Sequence, residues 1–351
     1  ISSLRGPVPG LGASSAAATR AYVAFRNATG GVCGRQVVLQ EADDGTATNQ
    51  YRAVVQDMAP NVLGLAGGFA LGDVGGLDII EQAELPVVTS PGDDRGTALP
   101  TLFDINPPYE DPDAVIGKYR FLHDQGVRTA TQVYLAVSQS RLEAQRQGRL
   151  MRAAGIEIVD VQELPIATLS YDAPARRVGN SGADYLFFIA DARGNGAMAR
   201  AMQDAGVTLD SEEYFTFSYG EGFIEQAGTV AAEGATTWLR SLPNEEARSN
   251  PELARFNEWM ERTAPGVVRD AFAVDGWVGA KAFLETLEDI PGPISRAALV
   301  TQLRGVGTYD ADGLYGPIRL GAELNNGCFL GMQVRGGEWR RLAPADQGFL
   351  C

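Results

Sequence analysis

Residues 184–190 read DYLFFIA, and this stretch decides the fold class of the chain. A nearly continuous apolar run of this length is typical of a strand that helices bury on both faces. A helical pattern precedes it at 172–180, and another follows at about 194–205 and ends at Gly206. Because helices flank the strand on both sides in sequence, we expect a parallel sheet that is covered by helices.

The same alternation of helix and strand continues in both directions along the chain. Further strands are predicted at 37–39, 62–66, 85–89, 132–137, 156–161, 214–218, 317–320, 328–335 and 338–343. Helices are predicted near 18–25, 51–58, 73–84, 111–125, 141–154, 251–263, 270–288 and 295–303. The elements form two series, and prolines at 107–108 and 243 mark crossings between them. We therefore expect an α/β protein with two similar lobes.

Composition excludes several classes of function. The chain has 351 residues, about two domains' worth, and its formal charge is 29 − 44 = −15. An acidic surface repels phosphate, so nucleic acid and anionic membranes are not expected partners. No apolar run reaches the roughly 18–20 residues that a membrane-spanning helix needs. The chain begins inside what looks like a structural element, which is consistent with the removal of an export signal.

The three cysteines leave one without a partner. Cys328 and Cys351 both lie in the C-terminal region, and a bond between them would close a loop of 23 residues, contributing on the order of 3 kcal/mol. The alternative is that both are buried reduced thiols. We expect the bond, with Cys33 unpaired, because the first two lie in one C-terminal unit.

Two loops of the first series follow predicted strands. Residues 67–72 (GGFALG) precede a helix, a context that suits an anionic ligand at a helix N-terminus. The loop lacks the Gly-Lys-Ser/Thr of a P-loop, which disfavours a nucleotide and leaves another small ligand or a plain turn. Residues 90–95 (SPGDDR) place two carboxylates beside a guanidinium, which suits either a zwitterion or a solvated turn.

Three loops of the second series share the same position after a strand: 138–141, 191–193 and 218–221. Ligands of open α/β sheets bind beyond the carboxyl ends of the strands, so their shared location favours a site. Tyr219 and Glu221 together could bracket an ammonium group, although each alone is typical of a surface loop.

Catalytic and metal-binding signatures are not found in the sequence. It has no G-x-S-x-G motif, and its single histidine, His123, falls in a predicted helix next to Leu122, which indicates a structural or surface histidine. Asp43 and Asp44 lack the ligand spacing of a calcium loop. We expect no catalytic residue, no metal and no cofactor.

An ordered set of motifs resembles the type I periplasmic binding proteins, specifically the branched-chain amino acid (Leu/Ile/Val-binding) group of ABC transporter receptors. The segments that carry the resemblance are LRGPV at 4–8, FRNATGGVCG at 25–34, LPVVTSPG at 85–92, AEG at 232–234, DGW at 275–277, where the family usually has Tyr-Asp-Ala, and GMQVRGGEW at 331–339.

The resemblance implies two Rossmann-like lobes with parallel sheets, joined by a three-crossing hinge near 105–108, 240–243 and 324–328. One lobe would comprise 1–105 with 243–325, the other 106–242 with 326–351, and the ligand would lie in the cleft. The family's ligand contacts would fall on Leu11, Phe69, Ala70, Leu71, Gly92, Asp93, Asp94, Arg141, Asp191, Tyr219 and Glu221.

The chain departs from the family pattern where the α-carboxylate of an amino acid would bind. Ala70 and Asp94 replace side-chain hydroxyls, so we expect weak binding of leucine, isoleucine and valine. The apolar residues Leu11, Phe69 and Leu71 suggest a ligand with an apolar or aromatic body. The acidic loop suggests a cationic or hydroxyl head, and Arg141 or Arg193 would take a carboxylate.

The resemblance implies a monomeric, non-enzymatic solute receptor of an ABC importer, which captures a small polar or amphipathic metabolite, amino-acid-like or aromatic, by hinge closure. It would be extracytoplasmic and lipid-anchored, with a membrane permease as partner. A ligand-sensing domain of the same fold is the alternative, and an enzyme is a third class.

Overall fold

The structure, a computed structural model, describes residues 1–6, 12–91, 94–105, 116–320 and 327–351. The chain divides into two compact units, Ile1–Pro108 with Pro243–Asn325, and Tyr109–Leu242 with Asn326–Cys351. It therefore passes from one unit to the other three times. Both units combine helices with parallel strands, so the predicted α/β class is confirmed.

The elements of the described residues are numbered in chain order. The helices are α1 Ala13–Ala28, α2 Thr48–Met58, α3 Leu77–Gln82, α4 Ile116–Asp124, α5 Ser138–Ala153, α6 Asp172–Gly179, α7 Ala192–Asp204, α8 Glu221–Ala227, α9 Thr229–Ala232, α10 Pro251–Thr263, α11 Ala271–Glu288 and α12 Arg296–Gly305. The strands are β1 Leu65–Ala66, β2 Val87–Thr89, β3 Leu102–Asp104, β4 Thr129–Leu135, β5 Glu157–Leu164, β6 Tyr185–Ile189, β7 Ser211–Tyr214, β8 Thr236–Leu239, β9 Thr308–Tyr309, β10 Ile318–Arg319, β11 Leu330–Arg335 and β12 Glu338–Ala343.

The first unit contains a parallel sheet with the order β1-β2-β3, in which Leu65 pairs with Val87 and Val87 with Leu102. Alternate residues face different helices: Leu65 joins the core cluster that includes Val55 of α2, whereas Gly64 lies against Phe283 of α11. Because successive side chains of a strand point to opposite faces, α2 and α11 cover opposite faces of this sheet. β9 and β10 form a separate antiparallel pair.

The second unit contains a seven-stranded sheet with the order β12-β11-β8-β7-β6-β4-β5. The five strands β4 to β8 are mutually parallel, and β11 and β12 add an antiparallel edge. β6 lies near the middle, and all five of its residues are buried. Phe188 belongs to one core cluster and Phe187 to another, so helices cover both faces, as the DYLFFIA run predicts.

The predicted strand at 37–39 is wrong, since the described residues form no strand there. The side chain of Asn27 takes the place of a neighbouring strand: its Oδ1 accepts from Val37 N at 2.8 Å, and its Nδ2 donates to Val37 O at 2.9 Å. Val38 is 84% exposed. Apolar β-branched residues suggested a strand, but this segment lacks the sheet partner that a strand needs.

The predicted strand at 214–218 is displaced toward the C-terminus. The observed β7 covers Ser211–Tyr214, and Thr216–Ser218 form a 3-10 helix. The polar residues of β7 conceal the strand, because Glu213 is buried as the ion-pair partner of Lys118, with 2.6 Å between Nζ and Oε1. Hydrophobicity alone therefore places the strand three residues too late.

A disulfide joins Cys328 and Cys351, which are 23 residues apart. Beside it, Phe329 and Leu350 exchange two backbone hydrogen bonds, of 2.8 and 2.7 Å, which hold the C-terminal residues against the start of β11. Cys33 is an exposed free thiol.

Candidate functional site

The loop after β1 is held in shape by contacts to α1. Gly67 and Gly68 have φ angles of 60° and 75°, which favour glycine, and a Cβ on Gly67 would lie 2.1 Å from Thr19 Oγ1. The same hydroxyl accepts a hydrogen bond of 3.2 Å from Gly68 N. A glycine pair at this position therefore lets the loop lie directly on α1.

Four backbone donors of this loop, those of Gly67, Gly68, Leu71 and Gly72, are used inside the protein. Leu71 N donates to Ser3 Oγ at 2.9 Å, and Gly72 N donates to Asp44 Oδ2 at 2.8 Å. The Asp44 carboxylate stands where an anion would have to approach. The 3-10 helix Asp73–Gly76, which follows and leads directly into α3, has the acidic Asp73 in its first turn, where an anion would be repelled. The structure therefore disfavours an anion site here. Any ligand contact of this loop would have to come from its side chains.

The one aromatic side chain of this loop packs against a second aromatic ring. Phe69 is 9% exposed, and its ring lies 4.6 Å from the ring of Phe272 in the first turn of α11. Ala70 is buried and Leu71 is half-buried. Phe272 is not among the candidates expected from the sequence; the Asp270 cap at the start of α11 is the local signal that would have placed it at a helix N-terminus.

The structure describes little or nothing of the other candidate residues in the first unit. Leu11, Gly92 and Asp93 fall outside the described residues. Asp94 begins a 3-10 helix, Asp94–Ala98, and its side chain is not among those described. The expectation of an acidic ligand loop therefore stays a prediction. In the chain these residues follow β2, the strand next to β1.

In the second unit, the candidates follow three adjacent strands. Arg141 lies in the first turn of α5 after β4, Asp191 follows β6, and Tyr219 and Glu221 follow β7. The carboxyl ends of parallel strands meet at one edge of a sheet, so these residues share that edge. The side chain of Glu221 is not among those described.

Arg141 already has an ionic partner. Its Nη2 donates to Oε1 of Glu163 near the end of β5, and this hydrogen bond raises the pKa of Arg141. The two side chains are 48% and 35% exposed, so the pair is accessible to solvent. A ligand carboxylate would have to compete with Glu163 for the guanidinium.

Asp191 caps α7, because its Oδ1 accepts from Gly194 N at 2.8 Å. Tyr171, which the sequence analysis missed, lies beside this cap: a Cβ on Gly194 would lie 2.8 Å from its hydroxyl oxygen. Burial, followed by the Asp191 carboxylate, raises the pKa of Tyr171. The pair presents a carboxylate and a neutral phenol at the strand ends.

Tyr219 is 6% exposed and packs against Trp339, with 6.2 Å between the ring centroids. The Nε1 of Trp339 donates to Gly220 O at 3.1 Å, so the indole fixes the loop in which Tyr219 lies. Asn195 connects this loop to the neighbouring one: it donates to Ser218 Oγ at 2.7 Å and accepts from Ala190 N at 3.1 Å. The edge is therefore preorganised by buried hydrogen bonds.

Comparison with known proteins shows the family of this chain. The sequence profile of the family described as "Periplasmic binding protein" matches residues 1–338. The chain belongs to this family. The match covers both units, and it confirms the resemblance on which the predicted architecture rests.

Solved structures with the same fold as this periplasmic binding protein include a ligand-binding receptor and transporter substrate-binding proteins. An extracellular ligand-binding receptor from Verminephrobacter eiseniae has a TM-score of 0.81 at 20% identity, covering 97% of this chain and 98% of that one. A fatty acid ABC transporter substrate-binding protein from Thermomonospora curvata has a TM-score of 0.81 at 19% identity, covering 100% and 91%. A branched-chain amino acid transporter substrate-binding protein from Streptococcus pneumoniae, solved with isoleucine, has a TM-score of 0.77 at 13% identity, covering 97% of each chain. No curated protein matches the sequence.

The acidic pair Asp43–Asp44 of this periplasmic binding protein has a structural role. Asp43 Oδ1 accepts from Leu4 N at 3.0 Å and Gly45 N at 2.9 Å, and Asp43 also binds Arg5. Burial opposes ionisation, but these hydrogen bonds outweigh it and lower the pKa of Asp43 to about 2. Among the described residues, no group of three or more potential ligands is arranged to hold a metal, and no helix is long and apolar enough to cross a membrane.

Proposed function

We propose that this chain is the extracytoplasmic solute-binding receptor of an ABC importer, with a membrane permease as partner and a lipid anchor in the full-length protein. One observation carries the proposal: the family match extends over residues 1–338, through both α/β units. The transporter substrate-binding proteins with the same fold support it.

We propose further that the receptor binds its ligand through strand-end loops and undergoes hinge closure without chemistry. The three passages of the chain between its units support a hinge. In the second unit the loops are braced by Asn195 and Trp339, so they offer a fixed surface rather than one that forms on binding. The ligand's preference for the closed state would drive the change.

The proposed ligand has an apolar or aromatic body and an amine or hydroxyl head. The Phe69–Phe272 pair supports an apolar body, since it places two packed aromatic rings at the loop that follows β1. The sequence of the acidic loop, with Asp93 and Asp94, favours a head that donates hydrogen bonds. The pairing of Arg141 with Glu163 makes a free carboxylate on the ligand less favourable.

The test has two steps. Mass spectrometry of the protein purified from its native host would identify any co-eluting metabolite, and calorimetry would then measure affinities for amino acids, aromatic acids, amines, polyols and fatty acids. The expected result is stoichiometric binding of one amphipathic class. Small-angle scattering should then show a smaller radius of gyration with the ligand. Turnover of the bound compound by the pure protein would contradict the proposal.

A further inference from the structure

Two side chains that meet at the start of α7, those of Tyr171 and Asp191, each have an oxygen that the protein itself does not use. Asp191 Oδ1 caps α7 by accepting from Gly194 N at 2.8 Å, but its carboxylate has no further hydrogen bond or ion pair with the described residues. The Tyr171 hydroxyl likewise has no hydrogen-bond partner among them. A polar group of a buried residue that lacks such a partner indicates that something else binds there.

The core of the second unit holds the Tyr171 ring in place. Tyr171 is only 8% exposed, and its ring meets Phe188 of β6 edge to face, with 5.7 Å between the ring centroids. It belongs to the same core cluster as Ala175 and Val178 of α6. Because the ring is buried in this cluster, the hydroxyl is the part of Tyr171 that a ligand can reach. The hydroxyl is therefore presented in a fixed position before any ligand arrives.

Gly194 leaves open the space that these two oxygens border. A Cβ at Gly194 would lie 2.8 Å from Tyr171 Oη and 3.1 Å from Asp191 Oδ1, and it would also lie 2.8 Å from the Cβ of Ala190. The backbone of Gly194 is ordinary α-helix with a negative φ, so its conformation does not require glycine. The close approach of these three atoms does require it, although glycine lowers the stability of a helix.

The charges around this space select a cationic hydrogen-bond donor. An ammonium group has three donors, so it can donate to the Asp191 carboxylate and to the Tyr171 oxygen at once. Burial, followed by the Asp191 carboxylate, raises the pKa of Tyr171, so the phenol stays neutral and can accept. Arg193 is exposed and forms no ion pair with the described residues, so it does not neutralise Asp191. An anion would be repelled by Asp191, and the net charge of −15 attracts cations to the whole chain.

We propose that Tyr171 and Asp191 bind the ammonium group of a primary amine at the N-terminus of α7. This inference rests on the proposed ligand-binding function and deepens it, because it assigns the donor head of the ligand to two named side chains of the second unit. Tyr171 is the residue that makes the site selective, since its hydroxyl has no structural hydrogen bond to lose. The acidic loop of the first unit, with Asp94, takes no part in this pair.

The experiment uses two probes, phenethylamine and phenethyl alcohol, which share an aromatic body and differ in the head group. NMR of the chain with isotope-labelled tyrosine follows the ring signal of Tyr171, and the Tyr171→Phe variant identifies that signal among the 11 tyrosines. We expect the amine to shift this signal and to bind about tenfold or more tightly than the alcohol, because its bond to the carboxylate is charge-assisted. A Tyr171 signal that about 20 mM amine leaves unchanged would overturn the proposal.

Three variants separate recognition from folding, with calorimetry of the amine and thermal unfolding as the two measurements. Tyr171→Phe removes only the unpartnered hydroxyl, so it should weaken amine binding by about tenfold and leave the unfolding midpoint nearly unchanged. Asp191→Asn keeps a residue that caps a helix well but loses the charge, and it should weaken the amine by about tenfold or more. The control is Tyr214→Phe, which removes a hydroxyl that donates to Glu212 at 2.8 Å; it should lower the midpoint and leave amine binding unchanged.

The outcomes distinguish this inference from the proposed function. If the amine binds with the same affinity to the natural chain, Tyr171→Phe and Asp191→Asn, the pair plays no part in recognition and this inference is overturned, while the proposed ligand class stands. Loss of amine binding in Asp94→Ala alone would have the same meaning. Turnover of the amine by the pure protein would contradict the proposed function, whereas binding that depends on Tyr171 and Asp191 would still support the pair.

Discussion

The Nζ atom of Lys118 in α4 lies 2.6 Å from Oε1 of Glu213 in β7, and the two side chains are only 4% and 3% exposed. Tyr185 donates to the second carboxylate oxygen, and the ring centroids of Tyr119 and Phe187 lie 4.8 and 5.2 Å from the ammonium. Burial lowers the pKa of Lys118, so its charge depends on the carboxylate. The core of the second unit therefore contains an ion pair in which the charge of each side chain is stabilised by the other.

Glu213→Gln should destabilise the protein by about 3–5 kcal/mol, because it leaves the Lys118 ammonium buried without its counter-charge. Urea unfolding measures the loss. The control is Asp78→Asn, which breaks an exposed pair with Arg52 and should have little effect. The double variant Lys118→Met with Glu213→Leu should recover most of the stability. If Glu213→Gln lowers the free energy of unfolding as little as Asp78→Asn does, the protein does not need the buried pair for its stability.

Glu143 should make stability depend on pH. Burial raises its pKa from 4.5 to about 7; a 2.7 Å hydrogen bond from Gln147 and the charge of Lys118 act in the opposite direction, and the charge of Glu213 adds to the rise. Arg146 also faces it, with 3.4 Å between Nη1 and Oε2. Between pH 4.5 and 7 the folded state holds a proton that the unfolded state has released. Stability from this group is therefore full below pH 4.5 and falls as pH rises toward 7, by roughly 1–3 kcal/mol in total.

Unfolding curves from pH 4.5 to 8 check this dependence. Glu143→Gln should flatten the decline, because glutamine cannot release the proton. Glu258→Gln, which alters an exposed acid that is paired with Arg262, should leave the decline in place. A decline of the same slope in Glu143→Gln would assign it to another group.

Gly276 allows α1 and α11 to pack in close contact. A Cβ at this position would lie 2.2 Å from the backbone oxygen of Ser15, so Gly276→Ala must push the helices apart and should cost about 1–3 kcal/mol. Gly222 in α8 has open space around its Cβ direction, and Gly222→Ala should stabilise the protein by about 0.5–1 kcal/mol. Thermal unfolding of the two variants should therefore shift in opposite directions; a shift in the same direction would contradict the close contact.

The disulfide should stabilise the C-terminal strands of the second unit. Its 23-residue separation predicts a loss of about 3 kcal/mol when it is reduced or when Cys351→Ser removes it. Cys33→Ser should leave the stability nearly unchanged, since Cys33 is exposed and free. Peptide mapping without reductant gives the connectivity, and a crosslinked peptide that contains Cys33 would overturn the assignment.

The acidic loop should reject simple branched-chain amino acids. A carboxylate at Asp94 that faced the ligand would repel an α-carboxylate and attract an amine, so Asp94→Ala should weaken an amine-bearing ligand by about tenfold or more. Calorimetry measures this change, with Asp78→Ala as a control on the same unit. Submicromolar leucine binding that Asp94→Ala leaves unchanged would show that Asp94 plays no part in recognition.

The candidate site could be predicted only in part, because a strand end is visible in sequence but its surroundings are not. Arg141 and Asp191 are recognisable as residues after strands. Nothing local shows that Glu163 pairs with Arg141, or that Tyr171 lies beside Asp191, since these partners are 22 and 20 residues away and the fold brings them together. The contact of Phe69 with Phe272 spans about 200 residues and is likewise invisible in sequence.

The sequence by itself determined the α/β class and most of the elements. The DYLFFIA run, the helix at 251–263 and the strand at 338–343 coincide with β6, α10 and β12, because apolar periodicity records how many faces an element buries. Only the tertiary structure decided that residues 37–39 are not a strand and that β7 covers Ser211–Tyr214. One segment looks like a strand but lacks a partner, and the other is polar but pairs deep in the core through Lys118. Strand pairing and buried charge depend on residues far away in the chain, and no local pattern contains them.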